Sequence, residues 1–254
     1  LVMHSIILIG LFVTILSPWM YRNYKEFETP GMTIMPSFNL YVTLVPSVLA
    51  VERGISFNEA RKQFINDRNK DLNKLTFTTS SEFNKEAFEV LKMYPVALAK
   101  VSAINILTFF THDGMLTILQ NSGFTPKESL SGPAITLLLD SPIVFLKTIK
   151  TYVFTPFVLV LIMRMFWILT TISFLLAVVL LIVRKKLTAP IIFVLVTVLY
   201  FTVTTPSNGL TVNSRFRMPV VPVILALAAY PFIVFRKNKY DKMSITSSES
   251  NDKK

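Results

Sequence analysis

Met165–Val183 reads MFWILTTISFLLAVVLLIV and runs directly into Arg184-Lys185-Lys186. The run holds no Asp, Glu, Lys or Arg, and it has the length of about 20 residues that a helix needs to cross a hydrocarbon core. In lipid, backbone amides have no water to bond, so a segment of this kind has to be helical. Three other runs share these properties: Met3–Tyr21, Leu187–Thr205 and Pro219–Phe235. A second basic cluster, Arg236-Lys237-Asn238-Lys239, abuts the last of them. Basic residues collect at the cytoplasmic ends of spans. With both clusters inside, Met165–Val183 runs inward, Leu187–Thr205 outward and Pro219–Phe235 inward again. The first span then delivers residues 22–162 to the outer face, and Thr205–Met218 forms a second, shorter outer loop.

The predicted fold is therefore all-α, a multi-pass transmembrane helical bundle with an outer helical loop region, in the cell (plasma or inner) membrane. Its four parts are a transmembrane span at 1–21, the outer region at 22–162, three spans within 163–235 and a disordered cytoplasmic tail at 236–254. The tail is rich in Ser, Asn, Asp and Lys and has too little apolar surface to pack. The chain opens on Leu1 already beside a spanning helix, which leads to the expectation that it is the C-terminal part of something longer.

Composition agrees with a bilayer as solvent. Of the 254 residues, 52% are hydrophobic and 16% charged, with a mean hydropathy of +0.54, whereas soluble domains carry about a quarter charged residues. There is no cysteine, which excludes disulfides, thiolate nucleophiles and cysteine-ligated metals, and His4 and His112 are the only histidines. No metal site and no cofactor is expected. The net charge of +11 does not point to nucleic acid. Between Arg22 and Lys92 ten basic side chains face nine acidic ones, so the excess lies at span ends rather than in a stripe able to track phosphates.

The outer region carries helix signals. Ser56-Phe57-Asn58-Glu59 reads as a capping box. A second helix is predicted from Ser81, with Phe83, Ala87, Val90, Leu91 and Tyr94 on one face, amphipathic enough to lie on a membrane surface. Pro95 interrupts it, and Val96–Thr111 is apolar except for Lys100, suiting an interfacial or re-entrant helix. Ser141–Ile162 reads as a juxtamembrane helix containing Pro156, which places Arg164 near the outer interface.

Two arginine motifs close spans on the outer side. In Ser17-Pro18-Trp19-Met20-Tyr21-Arg22-Asn23-Tyr24 the aromatic rings suit headgroup anchoring, while Arg22 and Asn23 supply donors that suit a ligand. In Asn213-Ser214-Arg215-Phe216-Arg217-Met218-Pro219 two guanidinium groups flank a phenylalanine. Read as an extended segment, alternation points both to one side, and guanidinium forks clamp phosphate oxygens in pairs. Phosphate recognition and structural pairing both fit these cations. Thr111-His112-Asp113-Gly114 holds the chain's adjacent His and Asp, but Asp-Gly is a common turn, and a turn is expected there rather than a general base. No Walker loop, dinucleotide fingerprint or nucleophile elbow occurs.

Pro18-Trp19-Met20-Tyr21-Arg22-Asn23-Tyr24 resembles the "PW..RNY" segment, and Ser214-Arg215-Phe216-Arg217-Met218-Pro219-Val220-Val221-Pro222 the "RFRLP..P" segment, of bacterial polyprenyl-phosphate-dependent glycosyltransferases. These are the protein mannosyltransferase-like and aminoarabinose transferase-like members of the C-type superfamily. Phe38-Asn39-Leu40-Tyr41 is similar to that family's "NLY" element, although the "GN.P" around it is replaced by Met35-Pro36-Ser37 and Val42-Thr43-Leu44-Val45-Pro46. The likeness covers most of the chain and corresponds to the family's C-terminal half. It implies transfer of a sugar from a polyprenyl-phosphate donor to an acceptor at the outer face, the lipid-linked sugar being substrate rather than cofactor. Arg215, Arg217, Arg22 and Asn23 are then the donor-phosphate candidates. The family's catalytic carboxylate lies in the N-terminal half, so the resemblance passes a catalytic role to no residue here. Implied partners are membrane lipid, the polyprenyl-phosphate sugar and the missing N-terminal half of the same polypeptide, without which the chain is expected to be inactive. A non-catalytic membrane module or partner subunit is the alternative, and a transporter a weaker third, since the spans carry no buried acidic or basic residue for ion coupling.

Overall fold

The computed structural model describes residues 2–68, 72, 75–124, 141–211 and 214–236. The predicted tail, apart from Arg236, lies outside the described residues, as do Asn213 and the Lys237-Asn238-Lys239 part of the second basic cluster. The described chain is helical, with no strand among the described residues. Helices Val158–Val183, Ala189–Thr211 and Ser214–Arg236 are long and apolar enough to cross a membrane, and two bent helix pairs would raise the number to five if each counts as one span. The all-α membrane fold follows from the long apolar runs.

The described chain divides into two compact units. Unit 1 comprises the chain up to Ala103 together with Pro206–Thr211. It opens with α1 (Val2–Phe27), which continues beyond the expected end at Tyr21. Many of its apolar side chains, among them Ile6, Ile9, Leu11, Phe12 and Ile15, are exposed in the protein, as lipid-facing residues are. Next come α2 (Met35–Phe38), a π-helix over Asn39–Leu44 and α3 (Val45–Arg53), which follow one another without a break. After a 111° bend, α4 (Phe57–Asp67) begins where Ser56 caps it, the Ser56 hydroxyl accepting from the Glu59 amide at 3.2 Å. The other half of the expected box is replaced: Glu59 accepts from the Gln63 side chain, one turn on. Helix α5 (Ser80–Met93) and α6 (Pro95–Thr111) meet at a 101° bend. Pro95 has no N–H to give and is tolerated only in a first turn, so one helix stops and the next starts there.

The core of unit 1 forms where the π-helix and α3 meet α4 and α5. Tyr41 lies at its centre, fully buried, with its ring 4.9 Å from that of Phe64 and 4.8 Å from that of Phe83. Val45, Val48, Leu49, Ala60, Ala87 and Val90 are among the side chains packed around it. The face of α5 predicted to be apolar is thus turned into this core: Phe83, Ala87, Val90 and Leu91 are buried.

Unit 2 comprises residues from Ile104 to Thr205 and the described residues after Val212. It contains the end of α6, α7 (Met115–Asn121), α8 (Pro142–Val153), α9 (Val158–Val183), α10 (Ala189–Thr204) and α11 (Val221–Ala228). Helix α9 starts earlier than the apolar run alone indicates. Pro156 sits in the break between α8 and α9 instead of inside a juxtamembrane helix, so Arg164 falls in the second turn of a spanning helix. Two apolar clusters hold the unit, one around Phe109, Phe174, Val198, Val220 and Ile224, the other around Leu119, Tyr152, Phe157 and Val160. Helices α9 and α11 are also tied by a hydrogen bond from the Ser173 hydroxyl to the Ala228 carbonyl, 2.6 Å. In lipid, where apolar burial gives little drive for helix association, such bonds and close packing carry it.

Candidate functional site

The last carbonyls of a helix have no amide partner within it. At the end of α6, two of them are met from a distant segment: Arg217 donates from Nη1 to the Phe109 carbonyl at 2.6 Å and from Nη2 to the His112 carbonyl at 2.7 Å. A cation at a helix C-terminus also complements the negative end of its dipole. The guanidinium carbon lies 3.7 Å from the centre of the Trp167 ring, and the residue is 1% exposed. Its Nε has no partner among the described residues.

The turn that follows α6 is built from the groups that the sequence offers. Gly114 takes a left-handed conformation at φ +76°, Asp113 accepts the Met115 amide at 2.8 Å, and the His112 Nδ1 accepts the Gly114 amide at 3.1 Å. A Cβ on Gly114 would stand 2.4 Å from the Ser214 hydroxyl, so the turn packs tightly on the segment leading to Arg217. The second oxygen of Asp113 accepts from Arg164 Nε at 2.6 Å, with the Asp113 side chain 1% exposed and that of Arg164 27% exposed. Burial lowers the pKa of His112 from its ordinary value, and the nearby Arg164 and Arg217 push the same way against Asp113. The imidazole is therefore neutral, and with Nδ1 accepting, its hydrogen is on Nε2.

Two arginines expected to point together are divided. Ser214–Val220 is a 3-10 helix, not an extended segment. Residues two apart on such a helix diverge, and here Arg217 is buried while Arg215 is exposed, its guanidinium 5.3 Å from the Phe216 ring centre. The phenylalanine between them packs partly against the Phe109 cluster, and that anchorage holds the short helix in place. Structural pairing therefore describes Arg217, and Arg215 is the member of the pair that solvent or a headgroup can reach.

In unit 1, Arg22 is exposed and stacked on Trp19, 5.4 Å from the ring centre. Asn23 is buried, its amide donating to the Gly31 carbonyl at 2.6 Å, while the Trp19 indole reaches the Met32 carbonyl at 3.3 Å. Thus Asn23 fastens the chain as it leaves α1, and Arg22 is the exposed donor of that motif. The Asn39-Leu40-Tyr41 element forms the start of the π-helix, and residues 206–211 lie on it. Asn39 donates to the Asn208 side chain at 2.9 Å, and the Leu210 amide donates to the Ser47 hydroxyl at 2.7 Å. Gly209 is held at φ +54°, ψ −156°, where a Cβ would stand 2.5 Å from the Thr43 carbonyl oxygen.

Asp113, read from the sequence as part of a turn, and Arg164, read as an interface residue, are brought together as a pair that the motifs do not indicate. A signal for them was present. Asp113 is the sole acid between Glu89 and Glu128, in an apolar context, and an acid in that setting calls for a cation. Among the described residues no group of three or more His, Cys, Asp or Glu could hold a metal.

Among known protein families, characterised proteins and solved structures, nothing matches this chain. Its function has to be argued from its residues.

Proposed function

We propose that the chain is the donor-holding part of an integral membrane glycosyltransferase of the inner (plasma) membrane, one that moves a sugar from polyprenyl phosphate to an acceptor at the outer face. The observation that carries this reading is the concentration of cation at span ends in unit 2. Arg215 is exposed, Arg217 is buried on the carbonyls that end α6, and Arg164, part-open in the second turn of α9, is bonded to the buried carboxylate of Asp113. Guanidinium groups at such a depth suit a lipid phosphate.

In the proposed transfer an acceptor hydroxyl attacks the anomeric carbon, the bond from that carbon to the phosphate oxygen breaks, and polyprenyl phosphate leaves with the bonding pair. Charge grows on the departing phosphate, and fixed cations that meet it there lower the barrier. Arg215 is the residue of this chain given that part. Arg22, stacked on Trp19, is the corresponding candidate in unit 1. The acceptor proton would pass to a carboxylate outside these residues, because Asp113 is buried and held in an ion pair with Arg164.

The test is donor binding. In zwitterionic lipid nanodiscs the chain is expected to bind undecaprenyl phosphate saturably, and Arg215→Ala to weaken it about tenfold, the size of one charge-assisted hydrogen bond. Absence of saturable binding would overturn the donor-holding role and leave a non-catalytic membrane module as the reading.

A further inference from the structure

Unit 2 holds two guanidinium groups, Arg164 and Arg217, near one carboxylate, Asp113, which bonds the first alone. Asp113 bonds Arg164 through one oxygen and a backbone amide through the other. Arg217 ends on two carbonyl groups, which are dipoles and carry no net charge. With a neutral His112, the cluster holds one positive charge more than it holds negative. Low-dielectric surroundings make such an excess costly, and an anion relieves it.

The donors to receive one are present. Arg164 bonds Asp113 through Nε, and neither of its Nη groups has a protein hydrogen bond among the described residues. The Tyr152 hydroxyl is buried and has no hydrogen-bond partner among the described residues, and its ring packs in one cluster with Val160, one turn before Arg164 on α9. His112 carries its hydrogen on Nε2, since Nδ1 accepts from Gly114. A fork with two further single donors outnumbers the two oxygens of a carboxylate and suits the three terminal oxygens of a phosphate.

We propose that Arg164, Tyr152 and His112 form a seat for a phosphate monoester, with Arg217 fixed behind it as a positioning residue. As the place of the donor phosphate it rests on the glycosyltransferase reading; as an anion seat it rests on the charge count alone.

Trp167, stacked on Arg217, is the natural reporter, and Trp19→Phe makes it the sole tryptophan. In phosphatidylcholine nanodiscs its fluorescence is followed against geranyl phosphate, inorganic phosphate and added phosphatidylglycerol. Two variants are compared with the parent. Arg164→Lys keeps the charge facing Asp113 but removes the fork; Asp113→Asn with Arg164→Gln removes the pair together, leaving no orphaned charge. Thermal melts establish that each folds, and Arg164→Lys carries the test if the double variant does not.

Saturable binding of geranyl phosphate that weakens at least tenfold in Arg164→Lys supports the seat. Binding unchanged by either variant, or no saturable response to any phosphate, overturns it. If inorganic phosphate binds with the same dependence on Arg164 and geranyl phosphate does not, the phosphate seat stands and the donor-holding role fails; a response to phosphatidylglycerol alone, a diester with two terminal oxygens, overturns the seat. If geranyl phosphate binding ignores Arg164 but is weakened by Arg215→Ala, the donor-holding role stands and the seat fails.

Discussion

Arg217 sits over Trp167, 3.7 Å from guanidinium carbon to ring centre, with both side chains buried. A desolvated cation–π contact of this kind contributes about 2 kcal/mol, and the same guanidinium donates to two carbonyl groups at the end of α6.

Arg217→Met should therefore destabilise the protein by about 3 kcal/mol, because it leaves the Phe109 and His112 carbonyls without their donor in an apolar setting. Arg217→Lys should recover part of this, since an ammonium cannot hold both carbonyls in fork geometry. Arg215→Ala, at an exposed position, should cost no more than about 1 kcal/mol. Thermal unfolding in detergent separates the two; equal losses at both positions would contradict the division of the pair.

Gly114 and Gly209 both adopt positive φ against a serine hydroxyl, yet alanine should be rescued at one and not at the other. At Gly114 the close atom is the Ser214 hydroxyl, and Ser214→Ala removes it, leaving a contact of 3.4 Å. At Gly209 the Thr43 carbonyl oxygen stands 2.5 Å away, and it belongs to the backbone. Alanine at either site should cost about 1 to 3 kcal/mol. Ser214→Ala should return a good part of the first loss, whereas Ser47→Ala should return little of the second.

Stability should fall with acid through His112. Its folded pKa is held below the ordinary 6.5 by burial first and by Arg164 next, so the unfolded chain takes up a proton before the folded one does. The contribution is complete above about pH 6.5, declines as the pH drops below it, and levels once the folded imidazole also titrates. Melting temperatures between pH 8 and pH 5 should show this slope, and His112→Gln should flatten it. An unchanged slope in the variant would assign the effect elsewhere.

Breaking the Arg164–Asp113 pair from one side should be worse than removing it whole. Asp113→Asn or Arg164→Gln alone should cost about 3 kcal/mol or more, and the double variant less than the sum. A double-mutant cycle on unfolding midpoints reads the coupling directly; additivity would show that the 2.6 Å contact contributes nothing.

The long helices were legible because lipid leaves a chain few choices: an uncharged run of about 20 residues must pair its own amides. The capped start of α4 and the stop at Pro95 were legible for local reasons as well, a hydroxyl before a helix and a ring that lacks a donor. The fate of Arg217 was not. Its partners are carbonyl groups that lie more than a hundred residues earlier, and carbonyls leave no mark in side-chain patterns. The expected alternation also assumed extended backbone where a 3-10 helix forms. Asn23 shows the same limit: its motif named it as a donor, and only the fold reveals that the acceptor is the Gly31 carbonyl.

The π-helix at Asn39–Leu44 acts as an inserted residue within an otherwise α-helical path. Each residue advances an α-helix by about 100°, so deleting one here, and letting the segment close into ordinary α-turns, would rotate everything downstream by that angle. Val45, Val48 and Leu49 would swing off the core while Tyr41 stayed in place. Single-residue deletions between Asn39 and Leu44 should thus be tolerated far less well than substitutions, marking this short stretch as the place where the phase of unit 1 is set.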